Sequence, residues 1–286
     1  MFTTIKNYLS LVKFSHTVFA LPFALIGFTM AVTSPYGSFT FRKFLLVLAC
    51  MVFARTAAMA FNRYIDRRFD AMNPRTASRE IPAGTIPPNA ALSLVLLSSV
   101  LFVVCTWFIN ALCFELSFVA LAVVLGYSYM KRFTPLCHMV LGIGLGLAPI
   151  GAYIAVTEQF STLPVLMGCI VFLWVSGFDI IYALQDDTFD KSQRLKSIPV
   201  YLGRKKALRL SRMLHLMSAL LVFYCYFAGT FGGWYLIGAI LFSLFLIYQH
   251  TLVKPDDLSR VTLAFGTTNG VASVVFGVLA CTDLIL

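Results

Sequence analysis

Apolar residues run through this chain in long blocks, separated by short polar interruptions rich in Lys and Arg. A membrane-spanning helix needs ~20 mainly apolar residues. Nine windows meet that template, at roughly 10–33, 41–61, 90–109, 112–130, 137–156, 163–183, 208–228, 233–252 and 262–285. The pattern therefore predicts an all-α polytopic membrane protein, a bundle of about nine transmembrane helices forming one domain over residues 1–286. The interruptions at Asn110 and Ala111, and at Gly229 to Gly232, are so short that the windows on either side must be tight antiparallel hairpins.

Composition agrees: of 286 residues 59% are hydrophobic and only 12% charged, with a mean hydropathy of +0.86, which leaves too little polar surface for a soluble globular domain. Lys6 and Lys13 precede the first apolar stretch in the manner of a signal peptide, but no small-residue cleavage pattern or polar mature domain follows, so the segment reads as retained. The seven cysteines are scattered through apolar windows without metal-ligand or redox spacing, and read as packing residues.

Charge orients the bundle, because Lys and Arg concentrate in cytoplasmic loops. With the N-terminus inside, 19 of the 22 basic residues fall on the cytoplasmic side. Only Arg42 and Lys43 lie opposite, and Arg55 lies within a helix. This predicts a protein of the cell (inner) membrane with its N-terminus, and the charged ends of most of its helices, on the cytoplasmic side. It also accounts for the net charge of +10 by contact with anionic lipid heads or an anionic substrate, with no need for nucleic acid.

Two segments carry candidate chemistry. The first begins in the second window at Arg55 and emerges through Asn62, Asp66 and Asp70 towards Arg75 and Arg79. At ~100° per residue, Asn62, Asp66 and Asp70 share an arc of roughly 80° close to Arg55, spread over about 12 Å of helix. The second contains Asp179, Tyr182, Asp186 and Asp190, followed by Lys196 and Ser197. On a continuous helix its three aspartates would fall within roughly 40° of one another. The separations of seven and four residues repeat those of Arg55, Asn62 and Asp66, a trace of internal duplication. Mg²⁺ is bound through one or two carboxylates, several waters and substrate phosphates. Carboxylate clusters from two helices could thus hold metal that bridges a diphosphate and assists its departure, while Arg55, Arg75, Arg79 and Lys131 add positive charge. The competing reading makes these residues loop-end charges that pair or snorkel.

With both motifs in view, the chain resembles the UbiA superfamily of intramembrane aromatic prenyltransferases. Asn62, Asp66 and Asp70 match its NxxxDxxxD signature, and Asp186 and Asp190, preceded by Tyr182, match its DxxxD signature. The similarity runs over nearly the whole chain. It implies Mg²⁺ held by Asn62, Asp66, Asp70, Asp186 and Asp190, and diphosphate contacts from Arg55, Arg75 and Arg79. Tyr127, Lys131 and Arg132 in YSYMKRFT occupy the family's YxxxK-type element, implying a basic contact to diphosphate or to the acceptor's carboxylate, and Lys196 with Ser197 resembles its usual KS. One departure is Glu80, where many members have proline. Together with FSHTVFALPFAL at 14–25 and HMVLGIGLGLAPIGAYIAVT at 138–157, that variant is similar to a subgroup linked to menaquinone synthesis by the futalosine route.

The resemblance implies transfer of a prenyl chain from a polyprenyl diphosphate to an aromatic acid in ubiquinone or menaquinone biosynthesis. It leaves two acceptors open: 1,4-dihydroxy-6-naphthoate, to which the subgroup points, and 4-hydroxybenzoate. Asp66, Asp70, Asp179, Asp186 and Asp190 are the catalytic candidates, and Asp179, Asp66 or Asp70 could help remove the acceptor's proton. Two alternatives stand beside this: prenyl transfer to another acceptor such as haem or chlorophyllide, and a cation transporter with intramembrane carboxylates. Of the isolated polar residues, His16 reads as an interfacial anchor, and Glu158 and Asp283, on the far side, have no catalytic part.

Overall fold

The computed structural model describes residues 2–12, 19–229 and 231–286; His16 and Lys13 lie outside the described residues. The described chain is helical: α1 (Phe2–Leu11), α2 (Leu21–Val32), α3 (Phe41–Met72), α4 (Pro88–Ile109), α5 (Ala111–Phe133), α6 (Cys137–Thr157), α7 (Thr162–Ala183), α8 (Asp187–Ser192), α9 (Ile198–Ala228), α10 (Gly233–Leu252) and α11 (Asn269–Ile285). A 3₁₀ turn, Leu184–Asp186, joins α7 to α8, and a π turn, Leu263–Thr268, leads into α11. Among the described residues, eight helical stretches are long and apolar enough to span a bilayer, and the 12-residue α2 is a shorter apolar helix. The first expected window, 10–33, is thus occupied by the end of α1 and by α2, and α3 runs well beyond the expected residue 61. The chain is a multi-pass membrane protein: Leu96, Leu97, Val100, Trp107, Phe118 and Val119 lie exposed on α4 and α5, as lipid-facing residues do and as a water-facing surface does not. All seven cysteines are free.

Local chemistry sets the helix ends. Pro87 and Pro88 open α4, with Pro88 at the first helical position, where a missing N–H costs nothing. Asn110 breaks α4 from α5 in an extended conformation, and its Oδ1 accepts the Cys113 amide, capping the new helix. This supplies the tight hairpin expected there. Ser197 caps α9 by accepting the Val200 amide. Within α9, Gly203 sits at φ 74°, a left-handed conformation that glycine takes without a Cβ penalty, and it kinks the helix there.

The chain divides into two compact units. Among the described residues, one comprises 2–12 and 41–129, the other 19–40, 130–229 and 231–286. In the first, α3 packs along α4 and touches α1. Ile81 and Ile86 of the 73–87 loop join Leu11, Ala60, Ala91 and Val95 in a buried cluster, which ties the loop down onto three helices.

In the second unit α7 is the central helix, packed on α6 and α9, while α2 lies on α6 and α11 and α10 pairs with α11. A Cβ added at Gly146 or Gly168 would come 2.7 Å from the other's carbonyl oxygen, so α6 and α7 touch backbone to backbone. Small residues permit that approach in a membrane. A continuous aromatic core of Phe23, Trp174, Phe178, Phe242 and Phe276 adjoins a buried polar seam. Trp174 Nε1 donates to Asn269 Oδ1 at 2.7 Å, and Asn269 Nδ2 donates to Gln249 Oε1 at 3.2 Å. His215 Nε2 lies 3.1 Å from the Trp174 carbonyl, which can only accept. Nε2 therefore carries the proton, and Nδ1 accepts from His250 Nε2 at 2.8 Å. Buried polar groups paired in this way fix one arrangement of four helices, because an unmatched partner in an apolar interior is costly.

Candidate active site

The first motif lies entirely on α3, which stays helical through Met72. Asn62 Nδ2 donates to Asp66 Oδ2 at 3.1 Å, one turn on. Asp70, a further turn along, is buried; its Oδ1 accepts from Arg79 Nη1 at 2.6 Å, and its Oδ2 is buried without a hydrogen bond. Arg79 is brought back by the loop, which begins with Asn73 Oδ1 accepting the Arg75 amide and Thr76 Oγ1 donating to the Asp70 carbonyl. Deeper in α3, Arg55 has a buried Nε with no hydrogen-bond partner, and Tyr127 of α5 lies within its electrostatic reach. The structure thus joins Asn62 to Asp66 and Asp70 to Arg79, and brings Tyr127 near Arg55. In the same unit Ser10 donates to Glu80, so the residue replacing the family's proline anchors the loop to α1.

The second motif departs from the single helical stripe expected for it. α7 ends at Ala183, the 3₁₀ turn follows, and Asp186 has φ −109° and ψ 3°, outside helical values. The projection that put Asp179, Asp186 and Asp190 within a narrow arc assumed 3.6 residues per turn, and a tighter turn breaks that phase. What gathers these residues is tertiary. Asp186 and Asp190 are buried, Lys131 Nζ lies 3.4 Å from Asp190 Oδ2, and Asp186 and Asp179 are also within the electrostatic reach of Lys131. The 131–138 and 190–198 segments are stitched together by Lys196 N–H donating to the Lys131 carbonyl at 2.7 Å. Lys196 Nζ donates to the Phe133 carbonyl at 3.0 Å, so this predicted ligand contact is engaged with backbone. Tyr182 packs against Phe265 of the π turn, rings tilted by 33° with centroids 4.2 Å apart. Arg132 ends α5 beside Lys131.

Two residues carry roles the sequence did not announce. Asp187, between the two motif aspartates, forms a two-pronged ion pair with Arg204, at 2.6 and 2.9 Å, fastening α8 to the start of the long arm of α9. His138, wholly buried at 0% exposure, contacts Asp179 Oδ2 through Nδ1 at 2.7 Å. Its sequence signal was weak, a histidine in an apolar stretch 41 residues from its partner. Asp283 has a structural task away from the motifs: its carboxylate accepts the amides of Gly232, Trp234 and Tyr235 at the start of α10.

Among the described residues no three of His, Cys, Asp and Glu come together as a metal cluster. The donors still suit a hard divalent cation, for which one or two carboxylates suffice when phosphate oxygens and water complete the shell. Asp70 Oδ2, buried and unmatched, is the atom most in need of such a partner.

Buried carboxylates accompanied by Arg and Lys at the helix ends mark a functional site in a polytopic membrane protein. More narrowly, the chain belongs to the UbiA prenyltransferase family, whose model matches residues 20–276. It is 31% identical over 237 residues to the 4-hydroxybenzoate octaprenyltransferase of Aeromonas salmonicida, covering 81% of this chain and 80% of that one. The same enzyme of Francisella tularensis is 24% identical over 95% of each chain. Among solved structures, the apo form of a UbiA homolog from Aeropyrum pernix superposes with a TM-score of 0.85 at 34% identity, over 95% of this chain and 98% of that one. A UbiA homolog from Archaeoglobus fulgidus bound to DMAPP and Mg²⁺ shares the fold, with a TM-score of 0.73 at 19% identity over 98% and 99% of the two chains.

Proposed function

We propose that this protein transfers a polyprenyl group from a polyprenyl diphosphate to an aromatic acid in quinone biosynthesis. Asn62, Asp66, Asp70, Asp186 and Asp190 would hold Mg²⁺, which would supply the positive charge that makes the diphosphate a competent leaving group. Arg55, Arg75 and Arg79 bind the diphosphate oxygens, and Tyr127, Lys131, Arg132, Tyr182 and Lys196 line the substrate heads. The allylic C1–O bond breaks with its electron pair leaving on diphosphate, the ring carbon beside the acceptor's hydroxyl bonds to C1, and the ring then loses its proton. Apolar helices keep the prenyl chain in lipid and water away from the cationic carbon. The observation that carries the reading is the state of Asp70: buried, ion-paired to Arg79 on one oxygen and unmatched on the other. A bundle held together only by packing has no use for that arrangement. The domain is the full chain, 1–286, in the inner membrane with the motifs cytoplasmic.

The relatives named for 4-hydroxybenzoate favour that acceptor. The Glu80 variant and the segment that begins at His138 favour 1,4-dihydroxy-6-naphthoate. Detergent-purified protein incubated with farnesyl diphosphate and each acid in turn, with products read by mass, decides between them. Prenylated aromatic acid should form with Mg²⁺ and disappear in excess EDTA. Product with a porphyrin alone would overturn the acceptor class, and full turnover in EDTA would overturn the metal. Metal uptake by proteoliposomes without prenyl transfer would favour a transporter.

A further inference from the structure

The π turn at Leu263–Thr268 is an uncommon conformation, and turns of this kind occur frequently at functional sites. Side chains hold it in place. Thr268 Oγ1 donates to the Leu263 carbonyl at 3.1 Å. Asn269 Nδ2 lies 2.9 Å from the Ala264 carbonyl and 3.0 Å from that of Phe265, groups that an unbroken α-helix would leave to its own amides. Both side chains are buried, and Asn269 is pinned in turn by the Trp174 indole of α7. A segment that had only to cross the bilayer would need none of this, since an α-helix satisfies its own backbone.

What the turn places is Phe265. Its ring centroid lies 4.2 Å from that of Tyr182, and 5.4 and 5.6 Å from those of Phe178 and Phe19, both edge-to-face. Phe178 and Phe19 are buried, so of these four rings the half-buried ones, open to a substrate, are Tyr182 and Phe265. Ala264, the preceding residue of the turn, belongs to the buried cluster against which Tyr182 also packs. Tyr182 is the last residue but one of α7, which stops at Ala183 before the 3₁₀ turn to Asp186. No further turn of α7 covers its ring, which is therefore held by other elements, and two consecutive residues of the π turn supply that support.

Resting on the function proposed above, in which Tyr182 lines the substrate heads, we infer that Phe265 is a positioning residue for that reaction: the π turn holds its ring against Tyr182 and so fixes where the Tyr182 hydroxyl meets the substrates. Tyr182 touches substrate, and Phe265 acts through it. A plain α-helix in place of the π turn would rotate Phe265 about the axis relative to Asn269 and take its ring off Tyr182.

The test is a double-mutant cycle read on kcat and on thermal unfolding, in detergent-purified protein supplied with farnesyl diphosphate and the aromatic acid it prenylates. Tyr182→Phe keeps the ring and removes the hydroxyl, whereas Phe265→Leu keeps an apolar side chain and removes the ring. Each should lower kcat about 10-fold, the worth of one hydrogen bond made in the transition state, with KM for farnesyl diphosphate staying within about 3-fold. Phe265→Tyr, which restores a ring, should recover kcat. The double variant should be no more than about 2-fold slower than Tyr182→Phe, while Phe265→Leu lowers the unfolding temperature equally in both backgrounds. A loss of about 100-fold in the double variant would mean that Phe265 acts independently of Tyr182, and unimpaired kcat in Tyr182→Phe would leave no hydroxyl to position. Either result overturns the proposal, as does full kcat in folded Phe265→Leu. Unmutated protein that prenylates no aromatic acid would overturn the proposed function instead.

Discussion

The two acidic motifs are built differently in the two units. Asn62, Asp66 and Asp70 stand on one unbroken helix, where spacing alone brings each within a turn of the next, and a following loop returns Arg79 to the last of them. Asp179, Asp186 and Asp190 are spread over a helix, a 3₁₀ turn and a short second helix. Their order depends on Lys131, His138 and the Arg204 clamp on Asp187, all remote in sequence. The first motif is thus a product of local geometry. The second is a product of packing, so perturbations that leave the first intact should scatter the second.

The largest effects should come from the motifs themselves. In the proposed mechanism each carboxylate helps hold the metal that would neutralise the leaving diphosphate, so Asp66→Ala and Asp190→Ala should each reduce turnover on the order of 1,000-fold. Equal loss in both would show that the straight and the broken motif serve one reaction, and near-normal turnover in either would remove that motif from the mechanism. Next comes Arg55→Leu, which should weaken farnesyl diphosphate binding about 100-fold while the protein stays folded, because the guanidinium is buried with its Nε unpartnered and removing a buried charge relieves its desolvation cost. Arg55→Lys should recover only part, keeping the charge without the planar fork. An unfolded Arg55→Leu whose surviving folded fraction binds normally would make Arg55 a structural residue.

Smaller effects sharpen the contrast between local and packed construction. Asp283→Ala removes the acceptor of three amides at the start of α10 and should cost about 1–2 kcal/mol of stability, read by thermal unfolding in detergent, with kcat retained. Smallest is Arg204→Ala: its ion pair with Asp187 is partly exposed and should be worth about 1 kcal/mol or less. The informative readout is which motif suffers, and a raised requirement for Mg²⁺ would show that the clamp orders the second motif.

The sequence by itself determined the membrane class, the helix windows, the hairpin at Asn110 and the whole first motif, because each depends on apolar length or on spacing along one helix. It also carried the family, through two motifs whose residues stand in a fixed order. It did not reveal that helix 7 would stop at Ala183, that Asp187 would be spent on Arg204, or that His138 would meet Asp179. Nor did it show the seam in which His215, Gln249, Asn269 and Trp174 satisfy one another, since each reads in sequence as an isolated polar residue in an apolar run. Only the tertiary structure decided these, for one physical reason. A buried polar group in a membrane must find its partner across helices, and which helices meet is set by packing contacts such as Gly146 against Gly168.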